Sequence, residues 1–114
     1  MAEPWGEIEQ EPEVEQWLLS LSTAAIYHVA YYIDMLAEQG VHLGEPYTRQ
    51  LDGKLRELRF FLGRDRHRIS YYVASGRRII LLTVFAKDRR RERGEVERAR
   101  RAMIRCIAEG HTAD

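Results

Sequence analysis

The first third of the chain carries apolar residues at the three- and four-residue spacing of amphipathic helices. A first helix is predicted from Pro12, a residue that suits the opening turn. Its apolar stripe consists of Val14, Trp17, Leu18 and Leu21. A second stripe over residues 26–37 lies between Ser22 or Thr23, either of which can cap a helix, and Gly40, which can end one. The short connection predicts a helical hairpin.

Farther along the chain the spacing changes to the two-residue alternation of strands. The predicted strands are Leu55–Leu62, His67–Val73 and Ile79–Phe85. The last of these is almost wholly apolar, as in a central strand covered on both faces. With a weak first strand at residues 5–9 and a last helix over about Glu95 to Glu109, the order is β-α-α-β-β-β-α. This order predicts an α+β fold, an antiparallel sheet with helices packed on one face.

Charge divides the chain into two unlike halves. Residues 1–53 hold ten Asp or Glu against one Arg, a net of −9. Residues 54–114 hold seventeen Lys or Arg against eight Asp or Glu, a net of +9. A basic half of this kind predicts a polyanionic partner, with nucleic acid the first candidate, and the planar guanidinium suits phosphate oxygens. The alternative is that these arginines form an ordinary solvated surface.

Sequence motifs of common chemistries are missing. The chain has no G-x-x-x-x-G-K-[ST] loop, no G-x-G-x-x-G and no H-E-x-x-H, so neither a metal nor a cofactor is expected. The single cysteine, Cys106, excludes an intrachain disulfide and is expected to be a buried structural thiol. The chain shows no secretory signal and no apolar run long enough to cross a membrane, so a cytoplasmic protein without membrane contact is expected.

Two arginines lie inside predicted strands, which is unusual unless that face meets solvent or a ligand. Arg59 and Arg68 are on neighbouring strands, and with Tyr72 they are expected on the open, concave face, because the helices need the other one. Cations that could join them are Lys54, Arg56, Arg64, Arg66, His67, Lys87, Arg89, Arg90, Arg91 and Arg93. Such a set can hold an RNA backbone, and it can stabilise the charge that builds on phosphorus during cleavage. The alternative is salt bridging, with Glu57 paired to Arg59 or Arg68.

An ordered combination of motifs resembles the RelE/ParE toxin superfamily, and within it the phage-derived HigB-like branch. The motifs are E-L-R at 57–59, R-x-x-Y at 68–71, F-x-K at 85–87 and E-x-x-x-A at 95–99. The resemblance covers about residues 5–109. It implies a single RelE-like toxin domain over residues 1–114, with an N-terminal helical hairpin packed on one face of the sheet and a C-terminal helix.

The resemblance also implies a function, that of the toxin of a type II toxin–antitoxin pair. Members of the RelE and HigB branches cut messenger RNA, typically on the ribosome, which makes a metal-independent endoribonuclease the expected activity. Arg59 and Arg68 would hold the scissile phosphate, and Lys87 and Lys54 would be candidates for proton transfer. Arg68→Ala is then expected to abolish growth arrest without unfolding the domain.

The remaining cations, together with Tyr72, would contact RNA or the ribosome. The expected partner is a helix-turn-helix antitoxin encoded by the adjacent gene, with operator DNA bound only through the antitoxin complex. The segment after the last strand is arginine-rich and lacks the second lysine and the proline of many relatives, which leaves the general base open. Two alternatives stay open: a ParE-like toxin that inhibits DNA gyrase, and a degenerate homologue that only binds its antitoxin and operator.

Overall fold

The computed structural model describes residues 3–86 and 92–110, and within them the chain alternates helices and strands much as predicted. The elements are β1 (Glu7–Gln10), α1 (Pro12–Leu19), α2 (Thr23–Gln39), β2 (Thr48–Asp52), β3 (Leu55–Leu62), β4 (Asp65–Ala74), β5 (Arg78–Ala86) and α3 (Glu92–Ala108). The predicted α+β fold, with its hairpin and its C-terminal helix, is confirmed. Strand β2 was not predicted.

The strands form one sheet in the order β1-β5-β4-β3-β2. Strands β2 to β5 form the antiparallel part of the sheet, whereas β1 adds a parallel pairing with β5. The β4–β5 pairing shifts register between Ser70 and Tyr71, so Leu82 is an extra residue between the partners Leu81 and Thr83. This bulge keeps Thr83 opposite Ser70, on the face of the sheet that carries Arg68.

Helix α2 of the hairpin begins and ends at the residues that the sequence indicates. The Ser22 hydroxyl accepts a hydrogen bond from the Ala25 backbone N–H at 3.2 Å, which satisfies one of the open donors of α2. The helix ends at Gly40, whose φ of 53° is in the left-handed region. A Cβ at this position would lie 2.1 Å from the Trp5 ring, so Gly40 also lets the first residues pass close to the helix end.

The sheet is covered on both faces, and each face has its own apolar core. On one face, Val14, Val29 and Leu36 of the hairpin pack against a row of strand residues that includes Ile69 and Leu81. On the other face, α3 packs on the sheet. The core there combines the helix residues Ala99, Ala102 and Cys106 with the strand residues Leu55, Tyr72, Ile80 and Leu82. The expectation that all helices share one face was therefore wrong, because α3 lies opposite the hairpin. None of the helices in the described ranges is long and apolar enough to span a bilayer.

Candidate nucleic-acid interface

The two mid-strand arginines meet across the β3–β4 ladder with a carboxylate between them. Arg59 and Arg68 are direct register partners. Glu57 Oε1 lies 3.3 Å from Arg68 Nη1, and Glu57 Oε2 lies 3.7 Å from Arg59 Nε. Two cations opposite each other on a sheet repel, and the shared carboxylate offsets this. We call Glu57, Arg59 and Arg68 the charged cluster; it shows the salt bridging that the sequence left as an alternative.

The charged cluster is largely buried. Glu57 is 0% exposed and Arg68 is 1% exposed, with its Cζ 5.9 Å from the centroid of the Phe85 ring. The expectation that Arg68 lies in a water-facing hollow was therefore wrong. Burial is possible because the guanidinium has a carboxylate partner and an aromatic neighbour. Arg59 differs, since 19% of its side chain remains exposed.

Tyr72 is also on this face of the sheet but is unavailable for stacking on a base. It is 2% exposed beneath α3, and its hydroxyl donates to Cys106 Sγ at 3.3 Å. The prediction that Tyr72 contacts RNA was wrong, because α3 covers that half of the face. Cys106 is 1% exposed, so the prediction of a buried thiol is confirmed.

Two further candidates point to the face that carries the hairpin. Arg56 donates from Nε to the Tyr71 hydroxyl at 3.4 Å and from Nη2 to Thr48 Oγ1 at 3.3 Å. His67 stacks on Phe60, with ring centroids 6.0 Å apart and an interplanar angle of 12°. Since both side chains are on the side of the sheet opposite the charged cluster, the structure does not bring them together with Arg59.

Apart from Arg66, the remaining described candidates are exposed cations at the ends of elements. Lys54 lies in the turn before β3, Arg64 in the turn between β3 and β4, and Arg93 in the first turn of α3. Five residues of extended chain, about 17 Å, separate Lys54 from Arg59, so the two do not converge. Four further candidates, Lys87, Arg89, Arg90 and Arg91, lie outside the described residues.

A cleft of about 180 Å³ opens beside Arg59, at the end of β3 that extends past β2. It is lined by Arg59, Arg66 and four aromatic rings, those of Tyr32, Tyr47, Phe60 and Phe61. We call it the aromatic cleft. The Arg66 guanidinium lies 5.1 Å from the centroid of the Phe61 ring. Cations beside aromatic surfaces are the arrangement with which proteins hold unpaired nucleotides.

Residues 16–105 match in sequence the family described as phage-derived protein Gp49-like (DUF891). The chain belongs to this Gp49-like family. No curated protein matches the Gp49-like chain in sequence.

Solved structures that share the fold of the Gp49-like chain include two toxin complexes and one free toxin. The toxin–antitoxin complex RelBE2 from Mycobacterium tuberculosis contains a chain of 12% identity and TM-score 0.55, over 74% of this chain and 99% of that one. A mutant of the E. coli toxin RelE in the free state has 14% identity and a TM-score of 0.58, and the match covers 88% of this chain and 96% of that one. The archaeal RelE–RelB complex from Pyrococcus horikoshii contains a chain of 22% identity and TM-score 0.55, and the match covers 75% of this chain and 98% of that one. The predicted RelE-like fold is thus confirmed.

Two residues of the aromatic cleft in this Gp49-like chain, Tyr32 and Tyr47, were not predicted as functional. Tyr32 lies in α2 of the predicted hairpin, and Tyr47 lies just before the strand that the sequence did not reveal. The signal that could have found Tyr47 is its spacing from Leu51 in the run Tyr47-Thr-Arg-Gln-Leu-Asp52. Residues four positions apart lie on the same face of a strand, so the two side chains are compatible with an extended segment. Its polar composition gives only weak β propensity, so tertiary pairing with β3 determines this strand.

The charge asymmetry of the sequence is partly neutralised in space. Ion pairs that join the acidic half of the Gp49-like chain to its basic half include Glu9 to Arg78, Glu13 to Arg98 and Asp52 to Arg100, each at 2.5 Å. These arginines hold β5 and α3 against the rest of the fold. The basic character available for a ligand is therefore smaller than the sequence totals indicate.

Proposed function

We propose that this Gp49-like chain is the toxin of a type II toxin–antitoxin pair, a single domain over residues 1–114 of the HigB-like branch, and that it cuts messenger RNA on the ribosome. Its fold is that of RelE toxins, and two of the similar structures are complexes of a toxin with its antitoxin. The observation that carries the proposal is the position of Arg59. This side chain joins the buried Glu57–Arg68 pair to an open cleft lined by aromatic rings.

The chemistry we propose is attack by the RNA's own 2′-oxygen. The 2′-oxygen loses a proton and bonds to phosphorus, the bond from phosphorus to the 5′-oxygen breaks, and that oxygen takes up a proton. The products are a 2′,3′-cyclic phosphate and a 5′-hydroxyl. Arg59 contacts the phosphate and stabilises the charge that it gains, which a fixed cation does best in a site with little water.

Arg68 acts through its neighbours in this proposal. Because it is buried against Glu57, it is a positioning residue that fixes the carboxylate and, through it, the Arg59 guanidinium. We assign proton transfer to Lys87 on the resemblance alone. Lys54, in the turn before β3, lies too far from Arg59 to reach the same phosphate, so we assign it, with Arg64 and Arg93, to phosphates or ribosomal RNA farther from the cut.

The partner in this proposal is a helix-turn-helix antitoxin from the neighbouring gene, which binds operator DNA as the complex. Neutralisation requires that the antitoxin cover the aromatic cleft or clamp the hairpin so that the ribosome is excluded. The basic side chains at the rim of the cleft, Arg59 and Arg66, are suited to an acidic stretch of such a partner.

The test is induction of the gene alone and together with its neighbour. We expect growth arrest that the neighbouring gene relieves, with primer extension showing new 5′ ends inside translated messages. Intact transcripts alongside normal protein synthesis contradict the proposal. A co-induced message with its start codon removed is the control, because ribosome-dependent cutting leaves it whole.

A second candidate is inhibition of DNA gyrase in the manner of ParE toxins. The observation that favours it is the burial of Arg68, since a catalytic face is expected to expose more than one cation to its substrate. The two candidates predict different damage. Gyrase inhibition induces the SOS response and DNA breaks while transcripts stay intact, and mRNA cleavage has the opposite pattern.

A further inference from the structure

The aromatic cleft has walls that suit a flat ring. Tyr32 stacks on Phe60 with ring centroids 5.6 Å apart and an interplanar angle of 21°, and the Tyr47 ring lies 6.4 Å from Tyr32. Tyr47 and Phe61 remain 38% and 51% exposed. Apolar rings left open beside a concave surface provide stacking area that folding has not used.

Two cations border these rings, and both lack a strong anionic partner. Among residues 3–86 and 92–110, no carboxylate pairs with Arg66, whose guanidinium lies over Phe61. Arg59 reaches Glu57 only at 3.7 Å, and its buried Nε has no hydrogen-bond acceptor among the described residues. Because Arg59 is only loosely paired and 19% of its side chain is exposed, its guanidinium can also contact a ligand phosphate.

The cleft is held in shape by contacts from three elements. The Arg59 backbone N–H donates to the Tyr47 carbonyl at 2.8 Å, which fixes the loop before β2 against β3. His28 of α2 donates from Nε2 to the Phe61 carbonyl at 2.7 Å, which fixes the far end of β3. A site shaped before the ligand arrives loses less conformational entropy on binding.

We propose that the aromatic cleft is a subsite for one unpaired nucleotide of a single-stranded RNA, adjoining the phosphate that Arg59 contacts. The base stacks between Tyr47 and Phe61, and Arg66 holds the phosphate on its other side. This inference rests on the proposed function and adds a specificity site to it. The two cations disfavour a basic peptide. An acidic stretch of the antitoxin pairs with the cations alone, whereas a nucleotide supplies both an anion and a flat ring.

The test measures binding of a short, fluorescently labelled, fully 2′-O-methylated oligoribonucleotide to the full chain, by anisotropy at low salt. Tyr47→Ala and Phe61→Ala are each expected to weaken binding about 5- to 150-fold, since stacking on an aromatic side chain is worth about 1–3 kcal/mol per base. Tyr47→Phe keeps the ring and should keep the affinity. Tyr27→Ala is the matched control, an aromatic side chain that is 72% exposed on α2 and does not line the cleft, and it should change nothing.

Two further binding measurements separate the contribution of the base from that of the phosphate. An oligonucleotide with an abasic residue at every position should bind the unsubstituted chain as weakly as the intact oligonucleotide binds Tyr47→Ala. Arg66→Gln should reduce the slope of log affinity against log salt concentration by about one, the contribution of one released counterion. Equal affinity of the abasic and intact probes means that the cleft holds an acidic group without a base, and this overturns the proposal.

The proposed function and this inference fail in different ways. If Tyr47→Ala and Phe61→Ala bind as tightly as the unsubstituted chain while transcripts are still cut in cells, the subsite is wrong and the nuclease stands. If the unsubstituted chain binds no oligonucleotide and cuts no transcript, both are wrong. Phe61→Leu, which keeps apolar bulk, guards against a fold defect in Phe61→Ala and is expected to bind as weakly.

Discussion

Arg59 and Arg68 face each other across two strands and share one carboxylate, Glu57, at 3.7 and 3.3 Å. The three side chains together carry a formal charge of +1. Arg68 and Glu57 are sealed from water, whereas Arg59 reaches the aromatic cleft. The arrangement gives the two arginines different roles, because only one can touch a ligand and the other determines where it lies.

Removing the shared carboxylate should destabilise the fold. Glu57→Gln keeps the size of the side chain but leaves two cations facing each other in a buried site. We expect the free energy of unfolding to fall by about 3–5 kcal/mol, measured by urea denaturation. The exposed Glu15→Gln on α1 is the matched control and should lie within about 0.5 kcal/mol of the unsubstituted chain.

The double variant Glu57→Leu/Arg68→Met sharpens this prediction. Replacing both buried charges with apolar groups of similar volume should recover most of the loss. A single Glu57→Gln that costs less than 1 kcal/mol would show that the charged cluster is hydrated and not sealed. By the same reasoning Arg68→Ala is expected to destabilise the domain, in contrast to the expectation from sequence that the fold would survive it.

Arg98 joins α3 to the end of β5 that extends past its pairing with β1. It donates to Glu13 of α1 and to the Val84 carbonyl, and Glu13 accepts from the Val84 N–H at 2.9 Å. Arg98→Met should lower the free energy of unfolding by about 1–2 kcal/mol, because these charged hydrogen bonds are partly exposed. Hydrogen exchange should quicken selectively along α3. The control is the exposed Arg101→Met on the same helix, which should leave both measurements unchanged.

The Cys106 thiol should be nearly inert in the folded chain. Burial raises the pKa of Cys106 from 9.0 to about 11, and the nearby Glu11 carboxylate adds to the shift. Because the thiolate is the reactive form, labelling by a disulfide reagent at pH 8 should be at least about 100-fold slower than in urea. Fast labelling of the folded chain contradicts the buried position of the thiol.

The same raised pKa predicts an alkaline loss of stability. Above pH 9 the unfolded chain releases the thiol proton while the folded chain keeps it, so the folded state binds more protons. The free energy of unfolding should therefore fall as the pH rises from about 9 to about 11. Burial also raises the pKa of Tyr71, which acts in the same direction. Cys106→Ala should remove the cysteine component and leave the remainder.

Local signals in the sequence predicted much of the fold. The ends of α2 follow from Ser22 and Gly40, and β3 follows from a clean alternation of side chains. Strand β2 was missed because its pattern is weak without its partner. The side of the sheet taken by α3 was missed although the predicted central strand was apolar on both faces, which already required a second covering layer.

The site was harder to predict than the fold. The sequence places Arg59 and Arg68 on one face, and the structure agrees. It could not show that Glu57 and the surrounding apolar groups bury Arg68, since burial is a property of the assembled layers. Nor could it show the aromatic cleft, whose members come from a helix, a loop and two strands and meet only in the folded chain.

The most direct test of the central claim is RNA cleavage by purified Arg59→Gln. This change leaves Glu57 and Arg68 as a balanced pair, so the fold should survive, as thermal unfolding can verify. On ribosomes programmed with a defined message, we expect the unsubstituted chain and the control Arg101→Gln to release fragments with 2′,3′-cyclic phosphate ends. Arg59→Gln should be at least about 100-fold slower, as is usual when a charge-stabilising donor is lost. Equal cleavage by a folded Arg59→Gln would contradict the account.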